Sequence, residues 1–585
     1  MKHLIRVGMV VNRVKSADPI TSASQLIPLL DKAIEKEADL ILTPLFTLTG
    51  CGCKQLFSVP SFRQAVEDQL NSLAIRYADK ECPIVMAAQE QPVLLYRGKI
   101  YSSSDQFLNF RCSDASVAVF SCSYHDALIN GQAFAKNGAD LFLLPSFHPY
   151  KAGDFEEAKS TFCLLSKSLG SAFTFCNGGF GDTSHPYLYK GYCGAAEDGV
   201  LLNDSNVNAK GSVSICDFDI DIIRGCKEKK GYPLSFSEPL FQSNAVEDKK
   251  TCRTALVDPY LPSDPAQEAA FLEEVFDLQV KALADRMVNT GISKLVLGVS
   301  GGLDSTLAFL VAIAALDRIS LPHENLIGVT MPGFGTTGRT YLNAVSLIKA
   351  LGADFREINI AASVTQHLND IGHPLEQTDI TYENAQARER TQILLDVAND
   401  NHAFVVGTGD LSEAALGWST FAGDQIAGYN VNICVTKTMI RKIANLLVSQ
   451  ERFPEANEAL SDILNSPISP ELLPPDENGA ISQKTEEILG PYELHDFFLY
   501  YFVKYSLSPK KIYEYACIAF DDISPEFILE KCILFFRRLF GGQFKRSCSP
   551  DAAAITEINL SNAEFYLPSD CSPNILLAEL KELEQ

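Results

Sequence analysis

The chain of 585 residues contains a single tryptophan, and it has no apolar run long enough to cross a bilayer. Its longest uninterrupted apolar stretch, Leu307 to Leu316, covers ten residues, about half of the roughly 20 that a spanning helix needs. A membrane protein is therefore not expected. Nor is a secretory leader, because Met1-Lys2-His3-Leu4-Ile5-Arg6-Val7 breaks its short apolar run with charges and reads as a first strand. The cytoplasm is the default location. Positive charge is scarce as well: 49 Lys and Arg stand against 73 Asp and Glu, a net charge of −24. That balance repels polyanions at long range and makes nucleic acid a poor candidate partner. Cysteine pairs at metal-ligand spacing are missing, with Cys51-Gly52-Cys53 the one tight pair among 16 scattered cysteines. They read as reduced, partly buried thiols. There is no internal repeat of solenoid period and no low-complexity tract.

What is present is an ordinary globular composition, 46% apolar and 21% charged. The length exceeds what one core usually supports, so two or more domains are expected. The first part alternates in the α/β manner. Ile5 to Val11 reads as a strand, Ser22-Ala23-Ser24-Gln25 as a helix start, and Leu40-Ile41-Leu42 as a buried strand. Val117 to Phe120 and Leu141 to Leu144 read as two more strands. From Gly225 to Pro265 the texture changes to Lys227-Glu228-Lys229-Lys230-Gly231, five prolines and no periodicity, which reads as a linker. Beyond it, a helix over Ala269 to Met287, a strand over Lys294 to Val299 and a buried helix over Leu307 to Leu316 are expected. Short strands at Ile327 to Thr330, Phe355 to Ile360 and Phe404 to Val406 continue the alternation, which argues for a parallel, doubly wound sheet. Ser524-Pro525-Glu526 is a late helix start.

The chemistry concentrates where the strand Leu295-Val296-Leu297-Gly298-Val299 runs into Ser300-Gly301-Gly302-Leu303-Asp304-Ser305 and then a helix. Two glycines let the backbone approach an anion, the helix start offers free N–H groups, and Ser300 and Ser305 add donors. This is a pyrophosphate cradle without the Gly-Lys-Ser/Thr ending of a Walker loop. Asp304 stands where a carboxylate could hold Mg²⁺ against phosphates.

The hexapeptide resembles the loop of the ATP-pyrophosphatase family, whose members cleave ATP between the α and β phosphates and adenylate an acceptor. Further along come Glu383-Asn384-Ala385-Gln386-Ala387-Arg388, Val406-Gly407-Thr408-Gly409-Asp410-Leu411-Ser412-Glu413, Leu416-Gly417-Trp418-Ser419-Thr420, Gly423-Asp424-Gln425 and Val435-Thr436-Lys437-Thr438. With Ser466-Pro467-Ile468-Ser469-Pro470-Glu471-Leu472 and Gln543-Phe544-Lys545-Arg546, residues 258 to 555 are similar to the synthetase domain of NAD⁺ synthetases in the form fused to a glutaminase. The resemblance implies that the carboxylate of deamido-NAD⁺ attacks ATP, pyrophosphate leaves into the loop, and ammonia displaces AMP. It also implies roles. Ser300, Gly301, Gly302, Asp304, Ser305, Thr408, Lys437 and Ser469 would bind ATP, with Asp304 and Lys437 acting on the phosphates. Asp304 and Glu413 would hold Mg²⁺, and Arg388, Asp424 and Lys545 would bind deamido-NAD⁺. A lysine that many shorter members carry before the Gly-Asp pair is Phe421 here. The fused form of the family assembles into homo-oligomers.

Residues 1 to about 220 resemble, less specifically, a nitrilase-like glutaminase, through Leu42-Thr43-Pro44, Leu48-Thr49-Gly50, Asn137-Gly138-Ala139-Asp140 and Asn177-Gly178-Gly179. Such a domain needs a glutamate base, an oxyanion lysine and a cysteine nucleophile. Cys122 is the candidate nucleophile, but Leu45 stands where the family has the glutamate. The Pro-Lys loop is missing, with Ser102-Ser103-Ser104-Asp105 in its place, and Ser123 follows the cysteine instead of glutamate. Three departures in one site point to lost chemistry.

The expectation is thus a nitrilase-like α/β sandwich over 1–225, a linker over 226–265 and a doubly wound ATP-pyrophosphatase domain over 266–585. It would use ATP, deamido-NAD⁺ and ammonia, the ammonia coming from solution or from a separate ammonia-supplying enzyme. The alternatives are another ATP-pyrophosphatase, such as a tRNA-modifying ligase, or a non-catalytic nucleotide-binding regulatory protein.

Overall fold

A computed structural model describes residues 3–87, 91–103, 107–178, 181, 188–206, 210–232, 238–246, 249–335, 338–465, 488–561 and 565–584. The chain divides into two compact units, Met1–Thr254 with Tyr505–Leu507, and Ala255–Lys504 with Ser508–Gln585.

The first unit is an α/β sandwich. One sheet orders its six strands as Ser212–Asp219, Leu4–Val11, Leu40–Leu42, Ile84–Met86, Val93–Tyr96 and Lys99–Tyr101. The other has seven: Val200–Asn206, Tyr192–Glu197, Ala172–Asn177, Leu141–Ser146, Ala115–Val119, Leu108–Cys112 and Gln242–Ser243. The inward side chains of both sheets, among them Val7, Met9, Leu42, Val117 and Leu143, meet in one core. Helices Pro19–Glu35 and Pro60–Arg76 bury Leu26, Leu30 and Leu73 on the outside of the first sheet. Helix Asp154–Leu169 lays Phe162 on Phe173 and Phe175 of the second. Both strand faces are thereby buried, which is why Leu40-Ile41-Leu42 is a continuous apolar run instead of an alternation.

Two expectations need correcting here. The first helix starts at Pro19, not Ser22, because Asp18 accepts the Thr21 N–H as its cap and proline occupies the first turn. The segment expected as a linker over 226–265 belongs mostly to the first unit. Helix Ile220–Lys230 runs through its start, and Gln242–Ser243 adds a parallel strand beside Leu108–Cys112. Lys227, in the charged cluster that suggested solvent exposure, is fully buried. Its ammonium donates to the carbonyls of Gly138 and Ala139 at 2.8 and 2.7 Å and pairs with Asp140 at 3.1 Å. Arg253, close to the end of the unit, forms a buried pair with Glu197 at 2.6 Å.

The second unit carries a five-stranded, all-parallel sheet ordered Asp354–Glu357, Leu326–Thr330, Lys294–Gly298, Ala403–Gly407 and Tyr429–Asn430. The third expected strand, Phe355 to Ile360, is shorter, since Ile360 opens the next helix. Helix Leu303–Arg318 is buried on almost every side and fills the core with helices Pro265–Thr290 and Lys437–Ser449. From the central strand Lys294–Gly298 the sheet grows first to one side and later to the other. Its carboxyl end is therefore the switch point at which doubly wound sheets bind ligands. Ser524 caps the helix Pro525–Gly541 as its sequence anticipates. Among the described residues no helix is long and apolar enough to cross a membrane.

If residues 226–254 are part of the first unit's core, Lys227→Met should cost about 3–5 kcal/mol, the usual consequence of removing one partner of a buried ion pair. A urea titration that finds this variant within about 0.5 kcal/mol of wild type, as for an exposed linker residue, would contradict the assignment.

Candidate active site

A cleft of about 530 Å³ opens at the carboxyl ends of Lys294–Gly298 and Ala403–Gly407 in the second unit. The loop Ser300–Ser305 forms one wall. Gly301 has φ +83°, and a Cβ there would lie 2.1 Å from the Thr340 carbonyl oxygen, so the loop path admits only glycine. The Ser300 hydroxyl accepts the Gly302 N–H at 3.2 Å and lies 3.1 Å from the Ser305 hydroxyl, while Ser305 donates to the Gly302 carbonyl at 3.0 Å. Gly302 ends the loop as the cap of helix Leu303–Arg318, and Asp304 sits in that helix's first turn.

The facing wall supplies acids. Asp410 caps the short helix Leu411–Leu416 by accepting the Glu413 N–H at 2.7 Å. One oxygen from each of Asp304, Asp410 and Glu413 lies within 4.8 Å of the others. Into this group reaches Lys437, the first residue of helix Lys437–Ser449. Its ammonium is 2.6 Å from Asp304, 2.7 Å from Asp410 and 2.9 Å from Glu413. Lys437 and Asp410 are buried, whereas Asp304 and Glu413 stay partly open to the cleft. Burial opposes the charge on Lys437, but the three carboxylates win and hold its pKa well above the ordinary value. Burial pushes Asp410 well up, and it pushes Glu413 up to about 7, where Asp304 adds repulsion and Lys437 offsets part of it. Asp304 keeps one oxygen, Oδ1, without a hydrogen-bond partner. Three acids around one ammonium leave a surplus of negative charge facing the loop.

Buried amides fix the loops relative to each other. Asn432 donates to the carbonyls of Asp304 at 3.0 Å and Thr408 at 3.1 Å, and Gln279 holds Asn432 in turn at 3.0 Å. Asp424 accepts the Thr420 N–H at 2.7 Å, and burial raises its pKa. Lys545 lines the cleft, yet its ammonium donates to the carbonyls of Gly417 at 2.7 Å and Ser419 at 2.6 Å, so it shapes the Trp418 loop.

The structure thus brings Ser300, Gly301, Gly302, Asp304, Ser305, Thr408, Glu413, Asp424, Lys437 and Lys545 together on one cleft. Arg388 is not among the lining residues. It is exposed, and its Nε donates to the Phe421 carbonyl at 3.2 Å. Arg390, two positions along the same helix, lines the cleft instead, as do Arg538, Arg441 and Tyr492. Those four were not anticipated. Asp410 was not either, although an aspartate three residues before a glutamate is a helix-start signal. Ser469, with residues 466–472, lies outside the described residues.

In the first unit, Cys122 and Leu45 flank the end of one strand. The Cys122 N–H donates to the Pro145 carbonyl and the Leu45 N–H to the Ser146 carbonyl, each at 3.3 Å. Leu45 packs with Phe46, Ala87 and Phe147 in a small apolar cluster. Burial pushes the Cys122 thiol up to about 12, and the nearby charge, Asp126, adds to that. The thiol donates to the Ser123 carbonyl at 2.9 Å. A nucleophilic cysteine needs the opposite surroundings.

A family model described as NAD synthase matches residues 275–520, the stretch that contains the cleft's loop and all of its acids. Over that stretch the chain is similar to the NAD synthase family. A glutamine-dependent NAD(+) synthetase from Mycobacterium leprae is 28% identical over 99% of this chain and 98% of its own length, so the likeness spans both units. A second, from Thermotoga maritima, is 33% identical over 41% of this chain and 39% of its own. Among solved structures, a glutamine-dependent NAD(+) synthetase from Cytophaga hutchinsonii covers 100% of both chains at 16% identity, with a TM-score of 0.45.

The single ammonium among three acids makes a direct prediction. Lys437→Met should destabilise the protein by about 3–5 kcal/mol near neutral pH. A carboxyl whose pKa is raised by folding binds more protons folded than unfolded, so stability falls as pH rises. Without Lys437 the Glu413 carboxyl keeps its proton to a higher pH than in the wild type, so the deficit should deepen as pH rises from about 7, where the wild-type carboxyl loses it. Urea titrations across that range check it, and a deficit independent of pH would contradict the charge argument.

Proposed function

We propose that the protein makes NAD⁺ from deamido-NAD⁺, ATP and ammonia, releasing AMP and pyrophosphate, and that it no longer draws the ammonia from glutamine. One arrangement carries the first half of this reading: Lys437 and three carboxylates facing a glycine loop at a helix start. The reaction places a pyrophosphate leaving group where backbone N–H groups and an ammonium can take its developing charge. Asp304 and Glu413, backed by Asp410, would hold Mg²⁺, since their charge exceeds that of Lys437 and Asp304 Oδ1 is unpaired. Bound there, the ion would neutralise the phosphates. The nicotinate carboxylate then attacks the α phosphorus, the bond to pyrophosphate breaks, and ammonia attacks the acyl carbon as AMP departs. Arg390 and Arg538 are the cleft's guanidinium groups suited to the dinucleotide's phosphates, with Asp424 and Lys545 ordering the Thr420 and Trp418 loops around it.

The second half of the reading rests on Leu45. A cysteine attacking an amide needs a base that takes its proton and returns it to ammonia, and such catalysis is typically worth about 10²–10⁴ in rate. Leucine supplies none of it. The thiol held up to about 12 is also not a thiolate at neutral pH. The Mycobacterium leprae relative is named for glutamine dependence; this chain departs from that chemistry at the base and at the lysine. Ammonia would then come from solution or from another enzyme.

Exchange of labelled pyrophosphate into ATP, dependent on deamido-NAD⁺, tests the adenylation step. Asp304→Asn and Glu413→Gln should abolish it without unfolding the protein. Arg390→Ala should raise the deamido-NAD⁺ requirement about ten- to a hundredfold, the worth of a charge-assisted contact, and Arg388→Ala far less. Exchange that proceeds without deamido-NAD⁺, or that survives Asp304→Asn, would exclude this reaction.

A further inference from the structure

Helix Tyr492–Tyr505 has no place in the roles assigned so far, yet its first turn reaches the cleft. The Tyr492 ring centroid lies 5.6 Å from the Lys437 ammonium. One turn further on, Asp496 is buried directly behind the acidic cluster. Its Oδ1 accepts the Ser412 hydroxyl at 2.5 Å, and its Oδ2 accepts the Thr438 hydroxyl at 2.8 Å. Ser412 immediately precedes Glu413, and Thr438 immediately follows Lys437. The Ser412 oxygen also accepts the Lys437 N–H at 2.9 Å. The network closes through Thr436, the cap of Lys437–Ser449. Its hydroxyl lies 2.9 Å from that of Thr438 and accepts the Met439 N–H at 3.2 Å. Since the one hydroxyl proton of Thr438 goes to Asp496, Thr436 must be the donor in that pair.

We infer that Asp496 is a positioning residue: one buried carboxylate clamps the starts of the two helices that carry Glu413 and Lys437, and so sets the distance between the metal-holding acid and the ammonium that works beside it. This rests on the reading of the cleft given above. The clamp explains why an acid lies where no ligand reaches it. Each of its oxygens takes a hydroxyl from a different helix, and each hydroxyl belongs to the neighbour of an active group. Leu411–Leu416 is too short to keep its own orientation by helical hydrogen bonds alone. Its start is fixed by the Asp410 cap on one side and by Ser412 on Asp496 on the other. None of Ser412, Thr436, Thr438 and Asp496 lines the cleft, so their effect should fall on the geometry of the phosphate end and spare the nicotinate end.

The test compares wild type, Asp496→Ala, Asp496→Asn and Thr438→Val by steady-state NAD⁺ formation with ammonium and by calorimetry of Mg·ATP, well below the unfolding temperature. A displacement near 1 Å of a catalytic group can cost about a hundredfold, so Asp496→Ala should lower kcat by about ten- to a hundredfold. It should also weaken Mg·ATP binding while leaving KM for deamido-NAD⁺ within about threefold. Asparagine keeps one acceptor oxygen, and Thr438 can turn its proton to Thr436 and accept from the new amide. Asp496→Asn should therefore recover most of the loss, and it stands in if the alanine variant does not fold. Thr438→Val should reproduce part of the loss in the wild type and almost none in the Asp496→Ala background. Wild-type kcat and Mg·ATP affinity in Asp496→Ala, or full additivity with Thr438→Val, would overturn the clamp. Failure of the wild type to form NAD⁺ would overturn the proposed reaction instead, and the calorimetric comparison would still decide the clamp. A wild type that binds no Mg·ATP overturns both.

Discussion

Everything in the second unit's cleft is arranged around one ammonium. Lys437 is buried where an isolated charge would be prohibitive, and it is kept charged by Asp304, Asp410 and Glu413 at 2.6 to 2.9 Å. Each acid comes from a separate structural decision. Asp304 follows from the turn at the glycine loop, Asp410 from the need to cap a helix, and Glu413 from the first turn of that helix. The parallel sheet brings these together because its two inner strands end side by side at the switch point. The groups do not balance: three acids surround one ammonium beside the glycine loop, an excess that the proposed divalent cation would offset.

The first unit shows the same physics with the opposite result. Its sandwich is complete, with both sheets covered by helices and a buried Lys227–Asp140 pair at 3.1 Å. Strand ends still bring Leu45 and Cys122 to one place. What the fold presents there is an apolar cluster and a thiol pushed up by burial. The core depends on the inward faces of the strands, so the few side chains at their ends can change without disturbing it.

Sequence patterns gave away the parts of this structure that depend on neighbours in the chain. A buried strand, a turn that only glycine can make and a helix start lie within about ten residues, so the strand–loop–helix path through Ser300 to Ser305 was legible. Long-range pairings were not. Asp496 meets Ser412 and Thr438 from 84 and 58 residues away, and no local spacing marks it. Lys227 misled because lysine-rich sequence normally means solvent, whereas this ammonium is taken up by two carbonyls and a carboxylate. Arg388 and Arg390 are two steps apart on a helix, which turns them to different faces. Only the packed structure puts Arg390 on the cleft.

The central claim is an intact synthetase joined to a glutaminase that has lost its base. One measurement tests it most directly: NAD⁺ formation by the purified full-length protein, with saturating ATP and deamido-NAD⁺, run side by side with ammonium and with glutamine. The account predicts turnover with ammonium, negligible turnover with glutamine, and no change in either when Cys122 is replaced by serine. Comparable rates from the two nitrogen sources, with the glutamine rate abolished by Cys122→Ser, would contradict it.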